Sequence, residues 1–261
     1  MTDPLHALFQ PGRWPVFALV SARVSGLMLM APLWSMPGLP KTVRAAVVVL
    51  LTLLLMPLVP DARVPEAALA LPLPLAGELM IGLLIGLTAA VIVYGVTLGG
   101  EVISLQMGLS LGHALAPTPE VEVSSVGQLQ SVLALLIYAS VGGHLMLIRG
   151  LADSLAVLPP GVLPSFEGAG RSAAMLFGTL FSTAVRAAAP VMVALLLANV
   201  AIAILGRAVP QLNAMMVSFP ITIGLGLLVL GLALPAIGGA VVGWVQGLPQ
   251  DVTGVLQAVH P

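Results

Sequence analysis

An all-α integral membrane protein with about six long, broken hydrophobic helices is the fold class that this sequence predicts. Three observations carry the prediction. Apolar residues make up 59% of the 261-residue chain and charged residues 7%, with a mean hydropathy of +1.13, so there is too little polar surface to clothe a soluble domain. Charge-free windows of the roughly 20 residues needed to cross about 30 Å of hydrocarbon recur along the chain. Proline and glycine clusters both separate these windows and interrupt them.

The apolar segments fall at about 14–33, 43–60, 73–100, 127–148, 172–206 and 212–246. Ahead of the first, Met1 to Trp14 carries Asp3, His6 and Arg13 but no basic stretch leading to a small-residue cleavage site, so this segment is expected to be retained. It contains Arg23. The second is short and ends at Met56-Pro57. The third is glycine-rich, and Gly82 and Gly86, four apart, share one helix face and permit close helix contact. Glu78 and Glu101 bracket it. As a functional pair they would be relay or coupling carboxylates; more simply, Glu78 caps a helix start after Pro72 and Pro74, and Glu101 marks the far end.

The fourth segment closes on Gly142-Gly143-His144, read as a helix-end histidine making a structural hydrogen bond. A catalytic role for it lacks support, since neither a Gly-x-Ser-x-Gly elbow nor a His-Glu-x-x-His metal motif occurs. The fifth and sixth segments exceed a single straight span. Between them lies a polar knot of Asn199, Arg207, Pro210, Gln211 and Asn213, followed by a charge-free run from Ala208 to Gln250. Such groups are costly in hydrocarbon and usually face protein or water.

Proline-rich stretches at 32–40, 57–74 and 158–164 are expected as loops. The stretch from Gln106 to Pro119, with Met107, Gly108, Leu109, Gly112 and Pro117, is too apolar for a solvated loop and too broken for a helix. A re-entrant or plug-like loop is expected there, buried by protein or lining a cavity. Lys41 and Arg44 mark the first loop as cytoplasmic, yet the third loop, cytoplasmic too by alternation, holds Glu101, Glu120 and Glu122 without a basic residue. The segments are therefore not expected to cross the membrane one by one.

Other function classes are narrowed by what the chain lacks. It has no cysteine for thiol or disulfide chemistry, no basic run for nucleic acid, and no Gly-rich nucleotide loop. No enzyme activity, metal or cofactor is expected. A secondary transporter or channel with a polar site at Glu78, Glu101 and Arg207 is the alternative from another class.

Asn199, Gly206-Arg207, Pro210-Gln211 and Asn213, followed by Phe219-Pro220 and Gly224-Leu225-Gly226, resemble the Arg-x-x-Pro-Gln-x-Asn stretch of the FliR/SctT family of type III export-gate subunits. Arg23, Pro32, Gly77-Glu78, Gln106-Met107-Gly108, Gly142-Gly143-His144, Ser154 and Pro190 extend the resemblance nearly end to end. It implies one export-gate domain over 1–261, with N-terminal helices and a plug-like loop (about 106–125) in 1–125 and helical hairpins in 126–261. It further implies a helical hetero-oligomeric channel with FliP-like, FliQ-like and FlhB-like partners in the bacterial inner membrane, at the flagellar basal body, passing unfolded export substrates. Arg23, Glu78, Glu101, His144, Asn199, Arg207, Pro210, Gln211 and Asn213 become assembly residues on this reading. The usual acidic residue before the loop proline is replaced by Ala116, and no aromatic lies between 106 and 125.

Overall fold

The computed structural model describes residues 13–36, 38–59, 71–109, 124–208 and 214–260, with side chains in the last stretch described from 218. Every regular element among them is a helix. In chain order these are α1 (Trp14–Met30), α2 (Lys41–Leu55, running into a 3-10 turn at Met56–Leu58), α3 (Pro72–Met107), α4 (Ser125–Ser140), α5 (Gly143–Val157), α6 (Phe166–Ala208), α7 (Ala214–Gln246) and α8 (Leu248–Val259). Five of the six expected segments fall on one helix each, the fourth (127–148) is split between α4 and the start of α5 with a bend of 62° between them, and α8 is an addition. Four helical stretches are long and apolar enough to span a bilayer: Lys41–Leu58, Pro72–Met107, Phe166–Ala208 and Ser218–Gln246. The bent pair α4–α5 makes a fifth if taken as one span, whereas α1, at 17 residues, falls short.

Some expected breaks move. Pro72 and Pro74 lie in the first turn of α3, where a missing N–H is no loss, and Pro57 sits in the 3-10 turn. The 57–74 stretch is thus partly helical. Pro190 in α6 and Pro220 and Pro235 in α7 are accommodated inside helices.

The chain forms two compact units from interleaved segments. In the unit made of Met1–Val91, Tyr138–Phe177 and Trp244–Pro261, α1 crosses α3 in backbone contact. A Cβ on Gly82 would strike the Arg23 carbonyl, one on Gly86 the Leu27 carbonyl, and one on Gly26 the backbone of Leu83. The Gly82/Gly86 face therefore does what its spacing permits. Leu248, Val252, Val255, Leu256 and Val259 form the buried stripe of α8, with Val252 seated on Gly150 of α5. The Ser165 N–H donates to the Val259 carbonyl at 2.9 Å, which ties the start of α6 to the end of α8.

In the unit made of Ile92–Ile137 and Gly178–Gly243, α3 again supplies the glycines. Gly95 and Gly99 admit Thr183, Ala184 and Ala187 of α6, and Gly100 lies on Gly127 of α4. Gly226 of α7 receives the Met107 side chain. The long apolar helix α3 is thus a central post in each unit, and glycine spacing decides what it touches.

Candidate functional site

The polar groups flagged by the sequence separate into settings of different kinds. Arg23 and Glu78 meet in the first unit. Both are fully buried, at 0% and 1% exposure, and Arg23 Nε donates to Glu78 Oε2 at 2.5 Å. The remaining donors of the guanidinium go to the C-terminal end of α5: Nη1 to the Ser154 carbonyl (2.9 Å) and Oγ (3.1 Å), Nη2 to the Leu158 carbonyl (2.9 Å). The Ser154 carbonyl also accepts the Leu158 N–H at 2.9 Å and gives the guanidinium its second lone pair, and both carbonyls sit at the negative dipole end of α5, where a cation is favoured. The second Glu78 oxygen accepts the Gly161 N–H at 2.9 Å. Gly161 has φ 92°, a left-handed conformation that glycine adopts without strain in the Pro159-Pro160-Gly161 turn.

One ion pair thereby pins α1, α3, α5 and the α5–α6 turn. Glu78 does not cap α3; it lies more than a turn inside that helix, and its oxygens serve other elements. A relay reading needs a carboxylate with a free oxygen facing a path, and Glu78 offers none.

Glu101 occupies a separate setting in the second unit. Its Oε1 accepts the Ser124 N–H at 2.8 Å, while the Ser124 Oγ accepts the Gly127 N–H at 3.0 Å. Ser124 is the N-cap of α4, and a carboxylate beside that positive end is favoured. Glu101 is not the far end of α3, which continues to Met107. There the Gly108 N–H donates to the Leu105 carbonyl and the Leu109 N–H to the Ser104 carbonyl, both at 3.1 Å, with Gly108 at φ 81°. That is a Schellman stop. Gln106 and Met107, assigned to a loop from the sequence, are helical; Met107 is fully buried and its carbonyl accepts the Thr222 hydroxyl at 3.3 Å. Gly112 and Pro117, like most of the plug-like stretch, lie outside the described residues.

His144 begins α5 rather than ending a helix. Gly142, at φ 80°, makes the turn, and Gly143 leaves room for the Tyr138 ring. The expected structural hydrogen bond is not made by Nδ1, which is buried without a partner. Asn199 and Arg207 are exposed on α6, with Arg207 in its last turn; Pro210, Gln211 and Asn213 lie outside the described residues. A transporter site would require Glu78, Glu101 and Arg207 to converge on a ligand, but Glu78 is consumed by Arg23 and Gly161, and Glu101 binds Ser124.

Two features escaped the sequence reading. Gln130 is 1% exposed, and both its amide atoms lack partners; it borders a cavity of about 100 Å³ with Leu133, Ile137, Leu234 and Ile237. Arg186 stands exposed near the middle of α6. Its position inside an otherwise apolar segment was the available signal. Among the described residues no group of His, Cys, Asp or Glu could hold a metal ion.

Comparison with known proteins agrees with the resemblance. The profile of the family described as bacterial export proteins, family 1, matches residues 14–247. The flagellar biosynthetic protein FliR of Pectobacterium carotovorum subsp. carotovorum is 33% identical over 224 residues, covering 86% of this chain and 84% of the relative. FliR of Escherichia coli strain K12 is 29% identical with the same coverage, and FliR of Bacillus subtilis strain 168 is 28% identical over 83% of this chain and 85% of its own.

Proposed function

The chain belongs to family 1 of the bacterial export proteins, and from that membership we propose that it is an export-gate subunit of the flagellar type III apparatus. On this reading it sits in the bacterial inner membrane and, with FliP-like and FliQ-like subunits and beside an FlhB-like one, forms part of the channel for unfolded flagellar proteins. The observation that carries the proposal is the match to flagellar relatives over 86% of the chain. The structure is compatible in one specific way: only 17% and 22% of the apolar windows of α6 and α7 are buried by the chain itself, leaving apolar surface for other molecules.

Arg207, exposed at the end of α6, is proposed to satisfy carbonyls at neighbouring subunits' broken helix ends, with Pro210, Gln211 and Asn213 beside it. Co-expression with FliP-like and FliQ-like subunits followed by affinity purification tests the reading. A large hetero-oligomer is expected, and Arg207→Ala is expected to lower its yield about tenfold, the effect of losing ~1.4 kcal/mol at an interface. Recovery of the chain only alone or as a homo-oligomer would overturn the assignment. The plug assignment for the stretch after Gln106 rests on resemblance. Deleting residues 110–122 should leave assembly intact and raise ion conductance, and background conductance would refute it.

A further inference from the structure

The buried stripe of α4 carries a polar interruption. Val126, Gln130, Ala134 and Tyr138 follow at four-residue spacing and are all buried, and neither Oε1 nor Nε2 of Gln130 has a partner among the described residues. Elsewhere in the same unit the Thr222 hydroxyl reaches the Met107 carbonyl, and the Ser124 N–H reaches Glu101. An amide left unpaired in apolar surroundings is costly. Gln130 borders a pocket of about 100 Å³ whose walls come from Val96 of α3, Leu133 and Ile137 of α4, and Leu234 and Ile237 of α7. Among the described residues no other polar side chain lines it.

We infer that this pocket receives one side chain of a neighbouring subunit, an asparagine or glutamine whose carboxamide pairs edge to edge with Gln130. The hydrogen-bonding inventory is the first reason. Gln130 offers an acceptor and a donor side by side, and a second carboxamide returns a donor and an acceptor in the same arrangement, whereas a hydroxyl in one position answers only one of them. Size is the second. A volume of about 100 Å³ equals roughly three waters at ~30 Å³ each, but a trapped water needs two to four polar partners and these walls supply a single amide. A helix, about 10–12 Å across, cannot enter; one side chain with an apolar stem can. The surroundings give the third reason. Only 22% of the apolar window of α7 is buried by the chain, and Leu232, Pro235 and Ala236, beside the wall residues, are exposed. An apolar face of this kind marks a protein contact, so the amide arrives on another polypeptide. The inference rests on the export-gate reading in taking that polypeptide from the same hetero-oligomer.

The test is a reversal of sign between the free and the assembled chain. Gln130→Met keeps the length of the side chain and removes the amide. In the detergent-purified full chain alone it should hold the melting temperature or raise it by up to about 4 °C, because an unpaired group is gone. In co-expression with the FliP-like and FliQ-like subunits it should lower the yield of hetero-oligomer about tenfold. Gly238→Leu is the second variant. A Cβ at Gly238 would meet Ile137 Cδ1 at 3.6 Å, an ordinary contact, so leucine fills the pocket from α7 and should lower the yield with Gln130 intact. The amide itself is read by solid-state NMR of the complex, with ¹⁵N-glutamine in this chain and carboxamide-¹³C asparagine and glutamine in its partners. The Gln130 Nε2 signal, assigned by its loss in Gln130→Met, should be dephased by partner ¹³C. A Gln130→Met change that moves stability and yield in the same direction would make Gln130 a core residue only and overturn the inference. So would an undiminished yield with Gly238→Leu, or a Gln130 signal that partner ¹³C leaves untouched. Each of these leaves the export-gate reading intact, whereas failure of the unaltered chain to enter a hetero-oligomer removes both.

Discussion

α3 and α6 are both long and similarly apolar, yet 72% of the spanning window of α3 is buried by the chain against 17% for α6. The difference lies in their glycines. Gly82, Gly86, Gly95, Gly99 and Gly100 of α3 each lie against another helix, whereas in α6 Gly168, in the first turn, meets the Ala258 carbonyl of α8 but Gly170 and Gly178 have nothing within 4 Å of where a Cβ would stand. Without a hydrophobic drive between helices in lipid, association depends on close packing and on polar contacts, so small residues decide which helix becomes the core. Hydropathy identifies what leaves water. Glycine placement identifies what meets its own chain.

The sharpest way to break the comparison is to remove a polar contact from the α3 side. Glu78→Ala leaves the Arg23 guanidinium buried without its counter-ion and should cost about 3–5 kcal/mol, with Arg23→Leu/Glu78→Leu recovering much of the loss; thermal unfolding of the detergent-purified chain measures both. Next, Gly82→Leu drives a side chain into the Arg23 carbonyl, expected to cost about 1–3 kcal/mol or more. Gly231→Leu, in open space on α7, should stay within about 0.5 kcal/mol. If the two glycines gave equal shifts in melting temperature, glycine placement would not be what sorts the helices. Glu101→Ala, which removes the acceptor at the α4 N-terminus, should cost ~1 kcal/mol and Glu101→Gln less. Smallest of all, Leu197→Ala on the open face of α6 should change the stability of the isolated chain by no more than about 0.5 kcal/mol.

Much of this architecture could be read in the residues. The apolar segments, the Gly82/Gly86 contact and the 158–164 loop follow from window length, helical spacing and proline chemistry, all local properties. Arg23 with Glu78 did not follow, because the partners lie 55 residues apart and nothing in the spacing says which carboxylate a lone guanidinium will find. Glu78 beside Pro72 and Pro74 looked like a cap for the same reason: a local role is visible in sequence and a tertiary one is not. The end of α3 was misplaced because Gln106 and Met107 were grouped with the glycines that follow, although a Schellman stop lets the helix run up to Gly108. Arg186 was passed over as one charge in an apolar run, because sequence does not say whether a lone guanidinium inside a long helix is buried or, as here, exposed.

The Arg23 lock also imposes an order in time. Its guanidinium bonds to residues 131 and 135 positions later in the chain, so α1 leaves the ribosome long before Ser154 and Leu158 exist. At ~5–20 residues per second the wait is roughly 7 to 27 seconds. During that interval Glu78, the carboxylate that pairs with Arg23, is made well before the α5 carbonyls, and α8, made last, completes the unit that contains them. A nascent chain stalled before Leu158 should therefore hold Arg23 half-satisfied, accessible to the quality-control proteases of the membrane until the α5 terminus closes over it.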